Sequence, residues 1–263
     1  MNDGGSPAGK GANAEAMWEG LGRIKVPKSS DVLAERLKKE ILSDAYQPGA
    51  ALPTERELVA TTGLSRGSVR EALRLLEAQG LVHTRAGRYG GTTVSQPTDD
   101  HLASQINLFA KGRSVPFDSL VDVRLALEPM VAFLAAQRRT EDDLVILRKI
   151  AERLENSAQS DVGVFLEENA NWHDALAAAT HSELLSALAT SLGGLMFEVS
   201  KIENFATAEV RLRVTRAHRR ILEAIEARDP ERARLRVERD LQAYAVALQE
   251  ALALSAAKRE REG

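Results

Sequence analysis

Residues 48–82 read PGAALPTERELVATTGLSRGSVREALRLLEAQGLV, and this stretch decides the fold of the N-terminal part of the chain. Thr54 precedes Glu57 by three residues, which is the spacing of a helix-capping box. Gly63 and Gly80 stand where the hydrophobic periodicity stops, at positions that favour a left-handed helix end. The stretch therefore predicts a short helix, a tight turn and a second helix.

The flanking sequence extends this pattern on both sides. Upstream, residues 30–43 predict a helix, and its apolar face is expected to contain Val32, Leu33, Leu37, Ile41 and Leu42. Downstream, LVHTRAGRYGGTTV (residues 81–94) predicts two short strands around a glycine-rich turn. A helix, a short helix, a turn, a third helix and a hairpin, in that order, are typical of a winged helix-turn-helix.

The start of the third helix carries the candidate DNA-reading side chains. Arg66 and Arg70 are four residues apart and share one helix face, near the end that enters the major groove in such motifs. A guanidinium can bind guanine or a phosphate through two parallel hydrogen bonds. The alternative is that these arginines only form a solvated surface. The predicted DNA-binding residues are Arg56, Ser65, Arg66, Gly67, Ser68, Arg70, Arg85, Arg88 and Tyr89.

The other members of that set have supporting roles. The small residues Ser65, Gly67 and Ser68 keep the helix start slim, so that backbone N–H groups can approach a phosphate. Arg56 at the start of the short helix is placed for the sugar-phosphate backbone. The hairpin tip, with Arg85, Arg88 and Tyr89, suits a wing that reaches the minor groove.

Charge and composition agree with a DNA-binding module joined to a different second domain. Residues 23–97 hold 12 Lys and Arg against 8 Asp and Glu, whereas residues 98–263 hold 22 against 27. The chain has no cysteine, which excludes disulfides and thiolate metal sites and fits a cytoplasmic protein. No apolar run approaches the roughly 20 residues that span a bilayer, so no membrane partner is expected.

From about Asp99 onward the sequence predicts only amphipathic helices, packed as an antiparallel bundle. The expected fold is thus mainly α, an N-terminal winged helix-turn-helix followed by an all-helical bundle. The predicted division is a disordered tail at 1–22, a DNA-binding domain at 23–97, a helical effector-binding and dimerisation domain at 98–256, and a charged tail at 257–263.

Two histidines on different helices of the bundle suggest a ligand site. Asn169 and His173 lie four residues apart on one helix, His218 lies on a later helix, and Asp240 lies on the last. These oxygen and imidazole donors can hold a divalent metal if the bundle brings them together. The alternative is that each histidine is a hydrogen-bonded core or surface residue.

The 48–82 stretch resembles the recognition sequence of the GntR family of bacterial regulators, over about 35 residues without a gap. That resemblance implies DNA contacts by Arg56, Arg66 and Arg70 and by the backbone of Gly67. The helical remainder resembles the FadR-type subfamily with an FCD ligand-binding domain, because Asn169 and His173 match its D/N-x-x-x-H pattern and His218 to Asp229 match a second pattern.

The same resemblance implies a metal and an effector site in the bundle. Relatives that bind metal have a histidine 22 residues beyond His218, where this chain has Asp240, and usually an aspartate where it has Asn169. The metal would be of the Zn, Ni or Mn class. Arg124 and Glu128 match an Arg-x-x-x-Glu pattern, so Arg124 either binds a carboxylate effector or forms a structural salt bridge with Glu128.

The sequence therefore predicts a homodimeric regulator that binds a double-stranded DNA operator, represses transcription and responds to a small carboxylate metabolite. Its alternatives are a sensor whose only effector is a metal ion and, less favoured, a metal-dependent enzyme fused to a DNA-binding domain. No phosphate-cradling loop, nucleophile elbow or helical His-Glu-x-x-His is present in the sequence, so no enzyme activity is expected.

Overall fold

The computed structural model describes residues 26–43, 45–85, 87, 90–200 and 206–262, with the backbone alone for 196–200 and 254–262. The chain separates into two compact units, Met1–Pro97 and Thr98–Gly263. The predicted tail at 1–22 lies outside the described residues. Of the predicted tail at 257–263, the structure describes only the backbone of 257–262.

Unit 1 contains three helices and a two-stranded sheet in its described part. The elements are α1 Ser29–Leu42, α2 Glu55–Thr62, α3 Arg66–Ala78, β1 Val82–Arg85 and β2 Gly91–Val94. The strands pair antiparallel, with Val82 opposite Val94. Helix α3 packs against α1, α2 and β1, which is the winged helix-turn-helix arrangement that the sequence predicts.

The core of unit 1 follows the helical periodicity, with one difference on α1. Leu33, Leu37 and Ile41 recur every four residues and are buried. Val32 and Leu42 were expected on this face, and that expectation is wrong because their side chains are 48% and 63% exposed. Each lies one residue, or about 100° around the helix, away from the buried row.

Local capping fixes the ends of α2 and the start of α3. The Thr54 hydroxyl accepts from the Glu57 backbone N–H, and the Glu57 carboxylate accepts from the Thr54 backbone, so the predicted capping box is present. Gly63 closes α2 with φ of 70°, a left-handed conformation that glycine adopts without steric cost. The Ser65 hydroxyl then caps α3 by accepting from the Ser68 N–H.

Unit 2 is helical throughout its described residues. Its helices are α4 Asp99–Gly112, α5 Phe117–Arg138, α6 Glu141–Ser157, α7 Val162–Ala178, α8 Glu183–Ser200, α9 Ala208–Glu226 and α10 Pro230–Glu262. Helix α5 packs along α10, α7 lies between α6 and α8, and α9 contacts α5, α6 and α10. These contacts place α5, α7, α9 and α10 around a shared interior.

The interior of unit 2 is mainly apolar, but it includes buried polar side chains, one of them in the middle of α9. Leu147, Leu154, Trp172 and Ile225 are among its fully buried side chains. His218 is buried in the same region at 2% exposure, and a buried imidazole needs polar partners. Among the described residues, none of the helices combines the length and the apolar character that a bilayer crossing requires.

Candidate functional site

The first turn of α3 presents an exposed arginine beside a capped helix start. Ser65 holds the cap, and Arg66 and Gly67 follow it, all three exposed to solvent. Arg56 is exposed one helix earlier, on the first turn of α2. The first N–H groups of a helix favour a bound anion, and an exposed cation in the same turn adds to that preference.

Arg70 lies one turn further along α3 and is held by an ion pair. Its Nε donates to Glu55 Oε2 at 2.8 Å, and the two side chains are 62% and 38% exposed. Glu55 belongs to the first turn of α2, so this pair joins the two helices of the helix-turn-helix. Nothing in the sequence pattern marked Glu55 as the partner of Arg70.

The small residues at the start of α3 make different contacts. The Ser68 hydroxyl lies 3.0 Å from the Ser65 hydroxyl and accepts a hydrogen bond from the Ser29 hydroxyl at 3.1 Å, which links α3 to the start of α1. A Cβ at Gly67 would meet only the Ser65 hydroxyl, at 3.7 Å. That is an ordinary contact, so the fold itself does not require glycine at this position.

The wing contributes one described member of the predicted set. Arg85 ends β1, is exposed and stands opposite Gly91 in the sheet register. Arg88 and Tyr89 lie outside the described residues. The hairpin itself is present as predicted, with two four-residue strands.

Unit 2 contains a cavity lined by all six side chains predicted for metal and effector binding. Its free volume is about 80 Å³. The polar members of its wall are Arg124, Glu128, Asn169, His173, Arg213, His218, Asp240 and Tyr244. Four helices supply them, because α5, α7, α9 and α10 converge at this point. The volume suits a small molecule rather than a long acyl chain.

Arg124 and Glu128 form a buried ion pair on α5. The Arg124 Nε donates to Glu128 Oε1, and its Nη2 donates to Glu128 Oε2 at 3.1 Å. The guanidinium also lies over the Tyr244 ring, 5.1 Å from its centroid. Burial by itself would lower the pKa of Arg124, but the charge of Glu128 and the hydrogen bond to it, together with Tyr244 and Asp240, outweigh burial and raise that pKa.

The pKa of Glu128 shifts in the opposite direction to that of Arg124. Burial favours its neutral form, yet the charge of Arg124 and the hydrogen bonds from it hold the pKa of Glu128 below 4.5. The pair is therefore ionised at neutral pH. It uses two of the five N–H donors of the guanidinium, which leaves donor capacity for a second carboxylate.

The two histidines meet edge to face, with their ring centroids 5.3 Å apart. His218 Nε2 lies 3.6 Å from Asp240 Oδ2, and its ring stacks on Trp172 at 5.2 Å. His173 Nδ1 lies 3.5 Å from Glu128 Oε2. Desolvation lowers the pKa of His173 to about 4, so this imidazole is neutral at neutral pH and able to ligate a metal.

Two buried polar atoms of this wall, Asn169 Oδ1 and His218 Nδ1, have no hydrogen-bond partner in the part of the chain that the structure describes. Such atoms are costly unless a ligand, ion or water satisfies them. However, within the described ranges, no three His, Asp or Glu side chains are arranged as a metal-binding group. The donor types of Asn169, His173, His218 and Asp240 thus fit a divalent metal. Their side chains, however, are spread around the cavity more widely than the ligands of a metal-binding group.

Tyr244 and Arg213 are cavity residues that the site prediction did not include. Tyr244 lies four residues after Asp240 on α10, and Arg213 lies five residues before His218 on α9. The helical spacing from Asp240 was the available signal for Tyr244. No sequence signal distinguished Arg213 from the other arginines of α9.

Two family models match the chain. The one described as FCD domain matches residues 119–243, and the one described as bacterial regulatory proteins, gntR family, matches residues 29–94. The first covers most of the residues that line the cavity of unit 2, and the second covers the helix-turn-helix and the wing.

Similar proteins span most of the chain. The Glc operon transcriptional activator of Escherichia coli (strain K12) is 30% identical over 207 residues, 76% of this chain and 81% of that protein. The HTH-type transcriptional repressor NanR of Salmonella schwarzengrund (strain CVM19633) is 29% identical over 213 residues, 78% and 79% of the two chains. The structure of Streptococcus agalactiae GntR, 26% identical, has a TM-score of 0.61 over 81% of this chain and 97% of its own.

Proposed function

This chain belongs to the GntR family of bacterial regulators and carries an FCD domain, and on that premise we propose a homodimeric repressor that a small carboxylate releases from DNA. It is a DNA-binding transcription regulator, since its relatives regulate transcription and are not enzymes. In this proposal, residues 23–97 bind DNA, and residues 98–256 bind the effector and form the dimer.

The exposed arginines at the capped start of α3 carry the DNA-binding part of the proposal. Arg66 is exposed in the first turn of α3, where helix N–H groups favour an anion, and Arg70 is held one turn away in an exposed pair that a phosphate can replace. We assign base or phosphate contacts to Arg66 and Arg70, backbone contacts to Arg56, Ser65, Gly67 and Ser68, and minor-groove contacts to Arg85, Arg88 and Tyr89.

The cavity supports a carboxylate as the effector. Arg124 is buried at 6% exposure and keeps N–H donors beyond those that Glu128 accepts. A planar guanidinium recognises a carboxylate with two parallel bonds. Effector binding alters DNA affinity only if the effector prefers one arrangement of the dimer, and we propose that it prefers the arrangement released from DNA.

A divalent metal in the same cavity is supported by charge balance and by the two orphaned atoms. Arg124 and Arg213 offset Glu128 and Asp240, so an added carboxylate brings an uncompensated charge into a buried site. A metal of the Zn, Ni or Mn class held by Asn169, His173, His218 and Asp240 would neutralise it. Such a metal would supply a Lewis acid to which the effector carboxylate could bind.

The experiment that tests the function is capture of sheared genomic DNA by the purified protein, followed by sequencing of the retained fragments. A short palindromic site upstream of a few genes is expected, and its neighbouring genes indicate the effector. A regulator of this kind works in the cytoplasm, where the operator lies. No enrichment, with or without added divalent metal, would contradict sequence-specific binding.

Chelation separates the effector-responsive regulator from a pure metal sensor. With EDTA present, the proposed regulator keeps its operator and loses its response to the carboxylate. Loss of operator binding on chelation alone, with no organic ligand added, would favour the sensor. Transcription from the operator with and without the effector then decides between repression and activation, both of which occur among the similar regulators.

A further inference from the structure

A second concave site lies between α9 and α10, and arginine supplies five of its eight lining residues. Its free volume is about 310 Å³, and we call it the arginine groove. The lining residues are Arg213, Arg216, Ala217 and Arg220 of α9, with Arg236, Arg239, Asp240 and Ala243 of α10. Five guanidiniums thus face one carboxylate.

Helical spacing explains why these side chains converge. Arg213, Arg216 and Arg220 follow each other at three and four residues, so they share one face of α9. Arg236 and Arg239 share a face of α10 in the same way. Because α9 packs against α10, the two arginine faces border one groove.

Several arginines of unit 2 outside the groove form ion pairs with acidic residues. Arg148 pairs with Glu226, Arg153 with Glu168 and Arg219 with Glu155. Across the described part of the chain, none of the five groove arginines forms an ion pair. Arg216 Nε donates to the Leu212 carbonyl of its own helix, and Arg236 Nε is buried and has no hydrogen-bond partner among the described residues.

This concentration of charge costs folding free energy, since like charges three and four residues apart repel each other. It also runs against the composition of residues 98–263, where acidic residues outnumber basic ones. The one carboxylate of the groove, Asp240, lies 3.6 Å from His218 on the cavity side. A multivalent anion would satisfy the guanidiniums, which match phosphate and carboxylate oxygens in a planar fork.

We propose that the arginine groove binds a small multivalent oxyanion, a phosphate ester or a polycarboxylate, as a second ligand of the regulator. The groove is concave, and the Nε of Arg236 is buried, which suits a compact anion rather than the backbone of a duplex. Arg213, Asp240 and Ala243 line both this groove and the cavity of unit 2. An anion bound here therefore contacts the wall of the effector site.

The test is isothermal titration of the full chain with sodium pyrophosphate and, separately, with citrate, at constant ionic strength. Saturable binding of about one anion per chain is expected. The double variant Arg216→Gln with Arg236→Gln should weaken it at least tenfold, and neither residue lines the effector cavity. Binding of pyrophosphate alone indicates a phosphate ester, and binding of citrate alone a polycarboxylate.

The matched control is Arg219→Gln with Arg232→Gln, which removes the same charge from the same two helices outside the groove. It should leave anion affinity within about twofold of the unaltered chain. Equal weakening in both variants, or no saturable binding by the unaltered chain, would overturn the proposal. So would a groove variant that loses affinity for DNA while binding the anions normally.

Arg236→Lys provides a second test that does not depend on the folding of the double variant. It keeps the charge but lacks the planar fork, so the protein should show an unchanged circular dichroism spectrum and weaker anion binding. Unchanged anion affinity in both Arg236→Lys and a folded double variant would rule out the groove as the site.

Discussion

Arg70 is held in an ion pair that can be exchanged at little cost. Its pair with Glu55 is largely exposed, and exposed pairs contribute about 0–1 kcal/mol. A DNA phosphate or a guanine can therefore take over the guanidinium without a large penalty. The pair keeps the side chain ordered between α2 and α3 until that exchange occurs.

Replacing Arg66 or Arg70 with alanine should weaken operator binding by about tenfold or more, since a good bidentate contact is worth about 1–3 kcal/mol. Fluorescence anisotropy with the captured operator measures it, at several salt concentrations. Arg36→Ala, on the exposed face of α1, is the control and should change the affinity little. Equal effects of all three variants would mean that only total charge matters.

Arg124 carries a second prediction at this scale. Arg124→Gln leaves the Glu128 carboxylate buried without its partner, which should lower the free energy of unfolding by about 3–5 kcal/mol. Arg124→Lys keeps the charge and should cost less, yet it loses the planar fork and should weaken carboxylate binding about tenfold. Urea unfolding and titration of the effector measure the two quantities. Unchanged effector affinity in Arg124→Lys would assign the pair to stability alone.

At the scale of elements, α6 begins with a capping box like that of α2. The Asp143 carboxylate accepts from the Thr140 backbone and hydroxyl at 2.7 Å, and His181 Nε2 lies 2.8 Å from it. Thr140→Ala should cost about 1 kcal/mol of unfolding free energy. Ser119→Ala, an exposed change near the start of α5, is the matched control. Equal stability of the two variants would show that the cap contributes nothing.

The same cap predicts a dependence on pH. Partial burial would raise the pKa of Asp143, but the hydrogen bonds from Thr140 and His181 outweigh it and hold that pKa below 3.8. A carboxyl with a lowered pKa stabilises the fold above its unfolded value and loses this contribution as the pH falls through the folded value. The stability difference between the unaltered chain and Asp143→Asn should be present at pH 6 and shrink below about pH 3.8. A difference that stays constant with pH would contradict it.

At the scale of the whole molecule, the proposed dimer gives a geometric prediction. One recognition helix reads few base pairs, so we expect the proposed dimer to bind two half-sites related by two-fold symmetry. Light scattering should give twice the mass of one chain. Footprinting should show two protected half-sites, whose centres are roughly 34 Å or a multiple apart. A monomer that protects a single half-site would contradict the proposal.

The two units differ in how far their structure follows from neighbouring residues. In unit 1 the helix ends follow from neighbouring residues, because Thr54 caps with Glu57 and Gly63 turns the chain within a few positions. The buried row Leu33, Leu37 and Ile41 is likewise a local pattern, and only its edges, at Val32 and Leu42, were misjudged. Such short-range interactions are readable in one sequence.

In unit 2 the sequence predicted that Asn169, His173, His218 and Asp240 belong to one ligand set, and the fold places them on one cavity wall. The spacing of their atoms, the stacking of His218 on Trp172 and the nearness of Glu128 to His173 depend on how α5, α7, α9 and α10 pack. The sequence by itself thus determined the helices and which of their faces are polar. Only the tertiary structure decided which polar faces meet, as in the arginine groove, because contacts between distant segments depend on the packing of whole helices rather than on neighbouring residues.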